Sequence, residues 1–422
     1  MHRRRDFLRT GLAGAGALAF GPTFWSEALA ATAERGRSPY GPLGAPDANG
    51  LRLPDGFRSR IVARGGQPVD GTGYVWHIFP DGAATYRTGD DGWILVSNSE
   101  VPAVPDLPGE LPLAGNGEGG ASAIRFRADG KIDRAYRILS GTRGNCAGGA
   151  TPWGTWLSCE EVDDGQVWEC DPRGKRTAKV RPALGVFKHE AVCVDPGEGR
   201  LYLTEDLSDG GLYRFTPERK GDLRAGKLEI AKVAGDGAVD WKRVPDPAAE
   251  SIPTREQVPG RTEFMRGEGI WFDSGIVYVA TTSDSKIHAY NTGKRHLRVL
   301  YDAAKLDNPP LTDVDNITVS RSGDLFVCED NGGDDPFDIA LITPKPDRRV
   351  ARFLKATGPQ HGDANSGAAS ELTGVVFDPS GERLYFSSQR AFGTGIVYEV
   401  RGPFRGRGAG SGGRRDGRRL IG

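Results

Sequence analysis

Short apolar runs bounded by turns recur along the chain, and each is followed by an acidic or amide residue. The turn Asp91-Gly92, for example, leads into the apolar run Trp93–Ser97 and then to Glu100. The same order begins again at positions 153, 199, 274, 323 and 381. Apolar runs of this length, bounded by turn residues, predict short β-strands.

Six copies of this pattern suggest a repeat architecture. The interval between successive copies varies, but each interval can hold several short strands. A period of about 40–50 residues with several strands is typical of a propeller blade, and the longer intervals leave room for loops. We therefore predict an all-β fold, a six-bladed β-propeller. The alternative is an irregular β-sandwich in which the turns recur by chance.

A second pattern precedes most of these strands. Polar residues open an apolar run shortly before the acid that ends the copy, and they are Cys146, Glu190, Glu268, Asp315-Asn316 and Glu371. The first strand of each propeller blade lines the central channel, so one position per blade becomes a ring. The sequence therefore predicts a ring of acids and one thiol. The alternative is a water-filled channel mouth lined by acids.

Composition agrees with this fold class. Glycine accounts for 61 of the 422 residues and methionine for only 2. A glycine content about twice the usual share argues against a coiled coil or a helical bundle. A single all-β domain of this size is ordinary.

Charge separates the ends of the chain from its body. Residues 1–30 carry a net charge of +2 and residues 401–422 a net charge of +6, so a chain of net charge −1 leaves −9 for residues 31–400. An acidic body argues against nucleic-acid binding. The last segment, rich in Arg and Gly, is predicted to be a disordered tail.

The N-terminus resembles an export signal. Arg4-Arg5-Asp6-Phe7-Leu8-Arg9 is similar to a twin-arginine motif, and a mild apolar stretch and Ala28-Leu29-Ala30 follow it. About ten weakly apolar residues are too few to span a bilayer, so we expect no membrane span. We predict a signal peptide at 1–30, a catalytic propeller at 31–400, and delivery by the twin-arginine machinery to the periplasm or the medium.

The predicted ring has the chemistry of a metal site. Carboxylate oxygens are hard ligands that suit Ca²⁺, Mn²⁺ or Fe³⁺, whereas the thiolate of Cys146 favours a transition metal. Arg266 lies two positions before Glu268, and residues two apart on a strand share a side. Arg266 would then join the ring and clamp a phosphate or carboxylate. The alternative role for Arg266 is charge balance for Glu268.

Four stretches of the chain resemble the PhoX-type alkaline phosphatases, a family of bacterial proteins exported by the twin-arginine pathway. They are residues 145–161 (NCAGGATPWGTWLSCEE), 187–191 (FKHEA), 202–206 (YLTED) and 266–269 (RGEG). The first is long and specific, and the others support it by their order. The resemblance extends from about residue 40 to 400.

The resemblance implies a six-bladed propeller with an iron–calcium cluster (Fe³⁺ and Ca²⁺) that hydrolyses phosphomonoesters. It places the iron-binding Cys on Cys146, carboxylate ligands on Glu190 and Glu268, and the phosphate-contacting Arg on Arg266. We predict Arg266, Glu268 and Glu190 as catalytic residues in a monomer. Further metal ligands, expected from ring geometry alone, are Glu118, Glu160, Glu161, Glu205, Asp206, Asp315, Glu329 and Glu371.

Two other functions remain open. A calcium-only propeller hydrolase that acts on lactones or organophosphates would also use Asp313-Val314-Asp315-Asn316 and Glu329-Asp330-Asn331. A secreted binding propeller with structural calcium would turn over no ester. The chain also appears shorter than the well-known enzymes of the family, so the loops that shape substrate access would be reduced.

Overall fold

The structure, a computed structural model, describes residues 32–101, 119–330, 337–361 and 370–406. The predicted signal peptide at 1–30 lies outside these residues. Five short 3₁₀ helices occur in the described ranges, at Pro182–Leu184, Thr254–Gln257, Ala303–Lys305, Pro359–His361 and Ala391–Gly393. The remaining regular structure in these ranges is β-strand.

The described residues form 28 strands. In chain order they are β1 (Glu34–Arg35), β2 (Leu43–Pro46), β3 (Leu51–Pro54), β4 (Arg58–Arg64), β5 (Pro80–Arg87), β6 (Trp93–Ser99), β7 (Gly119–Phe126), β8 (Ile132–Thr142), β9 (Asn145–Ala150), β10 (Trp156–Glu160), β11 (Val167–Cys170), β12 (Lys179–Val180), β13 (His189–Val194), β14 (Leu201–Glu205), β15 (Leu212–Arg219), β16 (Asp222–Val233), β17 (Val239–Arg243), β18 (Gly267–Asp273), β19 (Ile276–Thr281), β20 (Lys286–Asn291), β21 (His296–Asp302), β22 (Val314–Val319), β23 (Leu325–Glu329), β24 (Asp338–Ile342), β25 (Arg349–Ala356), β26 (Leu372–Phe377), β27 (Arg383–Ser388) and β28 (Ile396–Arg401).

These strands form six sheets in a propeller arrangement, which confirms the predicted all-β propeller class. Five sheets are regular antiparallel blades of four or five strands: β5–β8, β9–β12, β13–β17, β18–β21, and β26–β28 with β4. The other sheet has seven strands, because β2 and β3 extend β22–β25 and β1 pairs in parallel with β25. The predicted six blades are therefore corrected to five regular blades and one enlarged sheet.

The sheets close into a ring around a channel. The first strands β5, β9, β13, β18, β22 and β26 each contact the next, and β26 contacts β5. Six apolar clusters hold the sheets together, one between each pair of neighbours. Strand β4 pairs with β28, so a strand from near the start of the described chain completes the last blade. The apolar runs of the sequence supply these interfaces, because each sheet buries both faces.

A β-bulge interrupts the first strand of every sheet at the same end of the channel. Pro80 pairs with Ser99 and Ala83 with Ser97, so three steps along β5 match two along β6. The other five sheets show the same three-to-two shift near the start of the first strand. A bulge of this kind re-aims the side chain of the extra residue. It therefore sets which side chains reach the channel.

Glycines allow the bulged strands to approach one another. A Cβ added at Gly82 would lie 2.4 Å from Cα of Ala147 in the next sheet, and one at Gly269 would lie 2.6 Å from the carbonyl oxygen of Asp315. Such contacts are with backbone, which cannot move aside cheaply. The absence of a side chain at these positions thus fixes the width of the channel.

The part of the C-terminal segment that packs against the propeller is longer than we predicted. Phe404 is buried in the cluster between the seven-stranded sheet and the last blade, and Arg405 forms an ion pair with Asp324. Residues 401–406 therefore belong to the fold, because they cover an apolar surface. The rest of the predicted tail, at 407–422, lies outside the described residues.

No helix within the described ranges is long and apolar enough to cross a membrane.

We expect Gly82→Ala to lower the free energy of unfolding by about 1–3 kcal/mol, since the added methyl group must displace the backbone of β9. Urea unfolding followed by tryptophan fluorescence would measure the change. Gly89→Ala is the matched control, because a Cβ there meets nothing within 4 Å. Equal stability of the two variants would contradict the close approach of the strands.

Candidate metal centre

Five of the six bulges present a potential metal ligand to the channel. In five sheets the residue at the start of the bulge is Asp81, Cys146, Glu190, Glu268 or Asp315. Each follows the first paired residue of its strand and is at most 9% exposed. The predicted ring of acids with one thiol is thus present in the geometry, with Asp81 as a member that we did not predict.

The donor atoms of this ring lie close enough to share cations. Three groups, each with donor atoms within 4.8 Å of one another, are Asp81–Glu100–Cys146, Cys146–Glu161–Glu190 and Glu190–Glu268–Asp315. Cys146 belongs to two of these groups, and so does Glu190. The groups therefore form one continuous cluster across the channel.

A second ring comes from the residue that follows the second strand of each sheet. Glu100, Glu161, Asp206 and Asp330 occupy this position in four sheets, while Thr282 and Gln389 occupy it in the other two. Glu100 and Glu161 are already members of the cluster. The two rings together bring most of these acids to one mouth of the channel.

Three predicted ligands point away from this mouth. Both oxygens of Glu160 and both of Glu329 accept hydrogen bonds from backbone N–H groups. Glu205 accepts from the N–H of Gly211 and the hydroxyl of Tyr213. These three residues end their strands, so each faces the opposite side from its successor. The structure does not bring Glu160, Glu205 or Glu329 into the cluster.

The remaining predicted ligands have different positions. Glu371 lies before the bulge of the last blade, where its Oε1 is 3.2 Å from Nη1 of Arg390. Asp206 binds Arg266 instead of joining a donor group. Glu118 lies outside the described residues. Glu371 and Asp206 therefore border the mouth without joining a donor group.

Our ligand set for the phosphatase omitted Asp81 and Glu100, which belong to a donor group, and Asp330, which lies in the second ring but in no donor group. Glu100 and Asp330 could have been found, because both end a copy of the repeat. The interval from Asp81 to Glu100 is longer than the interval between the first-ring and second-ring residues of each of the next four sheets. Asp81 therefore did not match the spacing by which we recognised the other members of the ring.

Three cations among the described residues surround the mouth. Lys188 is 2.8 Å from Oε1 of Glu161, and Arg390 lies beside Glu371. Arg266 donates to both oxygens of Asp206 at 2.8 and 3.1 Å and lies 3.0 Å from Glu268. The side chains of the three cations are 27–42% exposed. Each can therefore contact an anion from solvent.

Arg266 reaches the ring by a route that differs from our prediction. We predicted that it lies on the same strand as Glu268, but β18 begins at Gly267, and Arg266 has a left-handed φ of 54°. Its N–H donates to the carbonyl of Leu207. A non-glycine residue in this region is strained and persists only where its surroundings fix it. The turn, and not strand alternation, directs the guanidinium to the mouth.

The interior of the cluster is short of positive charge. Glu190 is 0% exposed, and neither of its carboxylate oxygens has a hydrogen-bond partner among the described residues. Burial raises the pKa of Glu190 well above its usual value, and the charges of Glu268 and Glu161 raise it further. Burial and the neighbouring charge of Asp81 likewise raise the pKa of the Cys146 thiol. Such groups hold their protons unless a cation neutralises them.

The outer acids differ from the inner ones because they have cationic partners. Burial raises the pKa of Glu161 to about 7, although Lys188 opposes the shift. Burial also acts on Asp206, but hydrogen bonds from Arg266 and Glu161 outweigh it and lower the pKa of Asp206. The rim acids Glu161 and Asp206 are therefore paired with cations, whereas Glu190 in the interior has no hydrogen-bond partner among the described residues.

The residues present fit bound metal cations. A buried carboxylate with two unpaired oxygens is costly, and direct coordination satisfies it. The donor groups with Cys146 combine a soft thiolate with hard oxygens, whereas Glu190–Glu268–Asp315 contains oxygens alone. This difference suits a transition metal at the thiol and a hard cation at the all-oxygen group.

A cavity of about 350 Å³, lined by both apolar and polar groups, occupies the channel beneath the ring. All six first strands line it, with small side chains such as Ala83, Ala147 and Ala191. Lys188, Arg266 and Arg390 lie at the mouth with the ring, so an anion from solvent would meet them there.

Comparison with protein families gives a match over the part of the chain that holds much of the ring. Residues 110–177 and 163–299 match the model of the family Alkaline phosphatase PhoX. This part of the chain is similar to the PhoX family. The resemblance seen in the motifs is thereby confirmed, and the matched region contains Cys146, Glu190, Arg266 and Glu268. The match supports a phosphatase activity at the level of the family only.

Similarity to solved structures is distant. A structural genomics protein of unknown function from Bacteroides thetaiotaomicron is 10% identical, with 82% of this chain and 76% of that chain covered and a TM-score of 0.47. A putative 6-phosphogluconolactonase from Bacteroides uniformis is 13% identical, with 69% and 74% covered and a TM-score of 0.40. No curated protein matches the chain. Because both TM-scores lie below 0.5, we infer nothing about function from these structures.

The metal-free protein should lose stability as the pH rises. The pKa of Glu161 is about 7 when folded, against 4.5 as the ordinary value, so the folded state binds more protons between these pH values. Its free energy of unfolding therefore falls with rising pH, on the order of 3 kcal/mol from Glu161 alone.

Urea unfolding of metal-free protein between pH 4.5 and 8.5 would measure this dependence. The control is the metal-loaded protein, in which bound cations replace the protons and the slope should flatten. A metal-free protein that becomes more stable from pH 5 to 8 would show that the cluster is not destabilised by its own charge.

Proposed function

We propose that this protein is an exported, metal-dependent phosphatase that hydrolyses small phosphomonoesters with an iron–calcium centre. One observation carries the proposal: three partly exposed cations lie beside a buried cluster of carboxylates and one thiol, and Glu190 at its centre has no hydrogen-bond partner among the described residues. Cations bound in the cluster and the side chains above it would together face an anion. The PhoX match supports phosphate as that anion.

Cys146, Glu161 and Glu190 would hold Fe³⁺, because this group combines the thiol with Glu190, whose two oxygens have no hydrogen-bond partner among the described residues. Glu190, Glu268 and Asp315 would hold Ca²⁺ through oxygens alone. When bound, such cations supply Lewis-acid polarisation and neutralise negative charge on a phosphate group. Glu190 belongs to both groups, so it would tie the two sites together.

Arg266 would bind the phosphoryl oxygens. Asp206 holds one edge of the guanidinium, so the side chain is oriented before a substrate arrives. Burial lowers the pKa of Arg266, but its bond to Asp206 and the charges of Glu268 and Asp330 outweigh this and raise it. The guanidinium therefore stays charged and offers fixed donors to the charge that develops on the transferring group.

Lys188 and Arg390 extend this cationic surface to either side. Lys188 contacts Glu161 and Asp206, and Arg390 contacts Glu371 and lies 3.9 Å from Glu100. Each cation is thus fixed by neighbouring acids and keeps an exposed face. A dianionic phosphate monoester would meet three positive charges at the mouth.

Export is part of the proposal. The twin-arginine motif at residues 4–9 supports delivery to the periplasm or medium after folding. A buried centre with one thiol and many acids would then be assembled before export.

We expect Arg266→Ala to lower kcat/KM for p-nitrophenyl phosphate by about 10²–10³-fold, because transition-state charge loses a fixed donor. Steady-state hydrolysis would measure the effect. Arg60→Ala is the matched control: Arg60 has similar exposure and pairs with the buried Glu399, but it lies on the outer strand β4. That variant should keep full activity.

Two results would contradict the proposal. Metal-loaded wild-type protein could hydrolyse no phosphomonoester, or Arg266→Ala and Arg60→Ala could retain equal activity. Hydrolysis of lactones without hydrolysis of phosphate esters would favour the calcium-only hydrolase.

A further inference from the structure

A pocket on the outer strands of the propeller is lined by cations. It has a volume of about 720 Å³ and lies between strands β16 and β17 and the turn that joins β20 to β21. Its cations are Lys232, Lys242, Lys294 and Arg295, and Asp240 is the one acid among the described residues that line it. The pocket is therefore positive, although residues 31–400 together carry a net charge of −9.

The backbone around this pocket is fixed by hydrogen bonds between two neighbouring sheets. The N–H of Val239 donates to the carbonyl of Arg295, and the N–H of Leu297 donates to the carbonyl of Gly237, both at 2.8 Å. Gly237 has a left-handed φ of 89°, and a Cβ there would lie 2.5 Å from the carbonyl oxygen of Leu297. The cations thus project from one rigid frame that two blades build together.

Asp240 is shared among the cations and cannot neutralise them all. Lys232 on β16 pairs in register with Asp240 on β17. Asp240 lies 2.5 Å from Nζ of Lys242 and 3.5 Å from Nη2 of Arg295, and these three side chains are 46–57% exposed. Exposed pairs of this kind contribute little to stability, so folding alone does not account for the gathered cations.

The positive charge continues onto the enlarged sheet. Lys345 lies between β24 and β25, where burial lowers its pKa, and the charges of Arg348, Arg298 and Lys294 lower it further. Lys294 therefore connects the pocket electrostatically to this second group of cations. The result is a basic strip across three sheets. The strip consists of Lys232, Lys242, Lys294, Arg295 and Lys345.

The composition of the basic strip indicates the class of its ligand. Lysine carries a point charge on a flexible stem, which suits several successive phosphate groups better than one planar anion. None of the exposed large apolar side chains among the described residues lines the pocket, so a membrane surface would find no apolar anchor there. The described lining also has no aromatic side chain on which a nucleic-acid base could stack.

We propose that the basic strip binds a linear polymer of closely spaced phosphate groups without bases, of which inorganic polyphosphate is the simplest example. Phosphate groups occupy the pocket, and the polymer continues towards Lys345. The strip shares no residue with the ring or with the three cations at the mouth of the channel. This binding site is therefore independent of the proposed phosphatase function.

Fluorescence anisotropy of the whole protein with inorganic polyphosphate tests the inference. The probe carries a dye at both ends, so that it presents no terminal phosphate monoester to the proposed active site. We expect Lys242→Gln/Lys294→Gln to bind about 10–30-fold more weakly at about 0.1 M salt, because two contacts with the polyanion are lost. The logarithm of the binding constant should also fall less steeply with the logarithm of the salt concentration, by about 1–2 units of slope.

Asp240→Asn should have the opposite effect. It removes the acid from the pocket and keeps the size of the side chain, so polyphosphate should bind about 3–5-fold more tightly. A purely structural role for these residues would not produce tighter binding. The matched control is Lys220→Gln/Lys305→Gln, which removes the same charge from two exposed lysines outside the strip. Its affinity should stay within about twofold of wild type, since salt screens distant charges.

Equal affinity of Lys242→Gln/Lys294→Gln and its control would overturn the inference, as would a wild-type protein that binds no polyphosphate. Equal competition by inorganic phosphate at the same total phosphate concentration would also overturn it, because a single anion would then suffice. Binding to phosphatidylglycerol vesicles in preference to polyphosphate would identify a membrane as the partner instead. Hydrolysis of p-nitrophenyl phosphate by these variants should equal that of wild type, which keeps this test distinct from that of the phosphatase proposal.

Discussion

A single extra residue in the first strand of each sheet determines the chemistry of this protein. The bulge occurs at the same end of all six sheets, and it aims one side chain per sheet at the channel. Radial repetition then converts one local irregularity into a ring. In the last blade, where the bulge lies one residue later, the ring has Thr373 in place of an acid. The glycines beside the bulges allow the ring to be narrow.

Because the ring is narrow, its carboxylates lie close together and repel one another. The site reduces this repulsion in two ways. At the rim, Lys188, Arg266 and Arg390 pair with second-ring acids and with Glu371. In the interior, Glu190 has no hydrogen-bond partner within the described chain, and Cys146 is surrounded by acids. Packed anions of this kind hold protons or cations. The same arrangement that destabilises the metal-free protein would therefore give a strong and specific metal centre.

The sequence was sufficient to predict the fold class and much of the ring. Strands and turns follow from local patterns, and Cys146, Glu190, Glu268 and Asp315 were found because the repeat places them alike. The doublets Glu160-Glu161 and Glu205-Asp206 could not be resolved, since the sequence does not show which member faces the channel. The strand register in the structure shows which member it is: the first residue of each doublet faces away from the mouth. The hydrogen bonds that Asp81 accepts from Thr373 and Gln389 join the first and last blades, which lie near opposite ends of the chain. No local pattern reports such contacts.

The central claim is that the ring holds metal through Cys146 and Glu190. Elemental analysis by plasma mass spectrometry, on protein purified without chelators, tests it most directly when wild type and Cys146→Ala are compared. Iron and calcium in the wild type, with iron lost and calcium retained in Cys146→Ala, is the predicted result. Absence of both metals from the folded wild-type protein, or equal iron in the two proteins, would contradict the account.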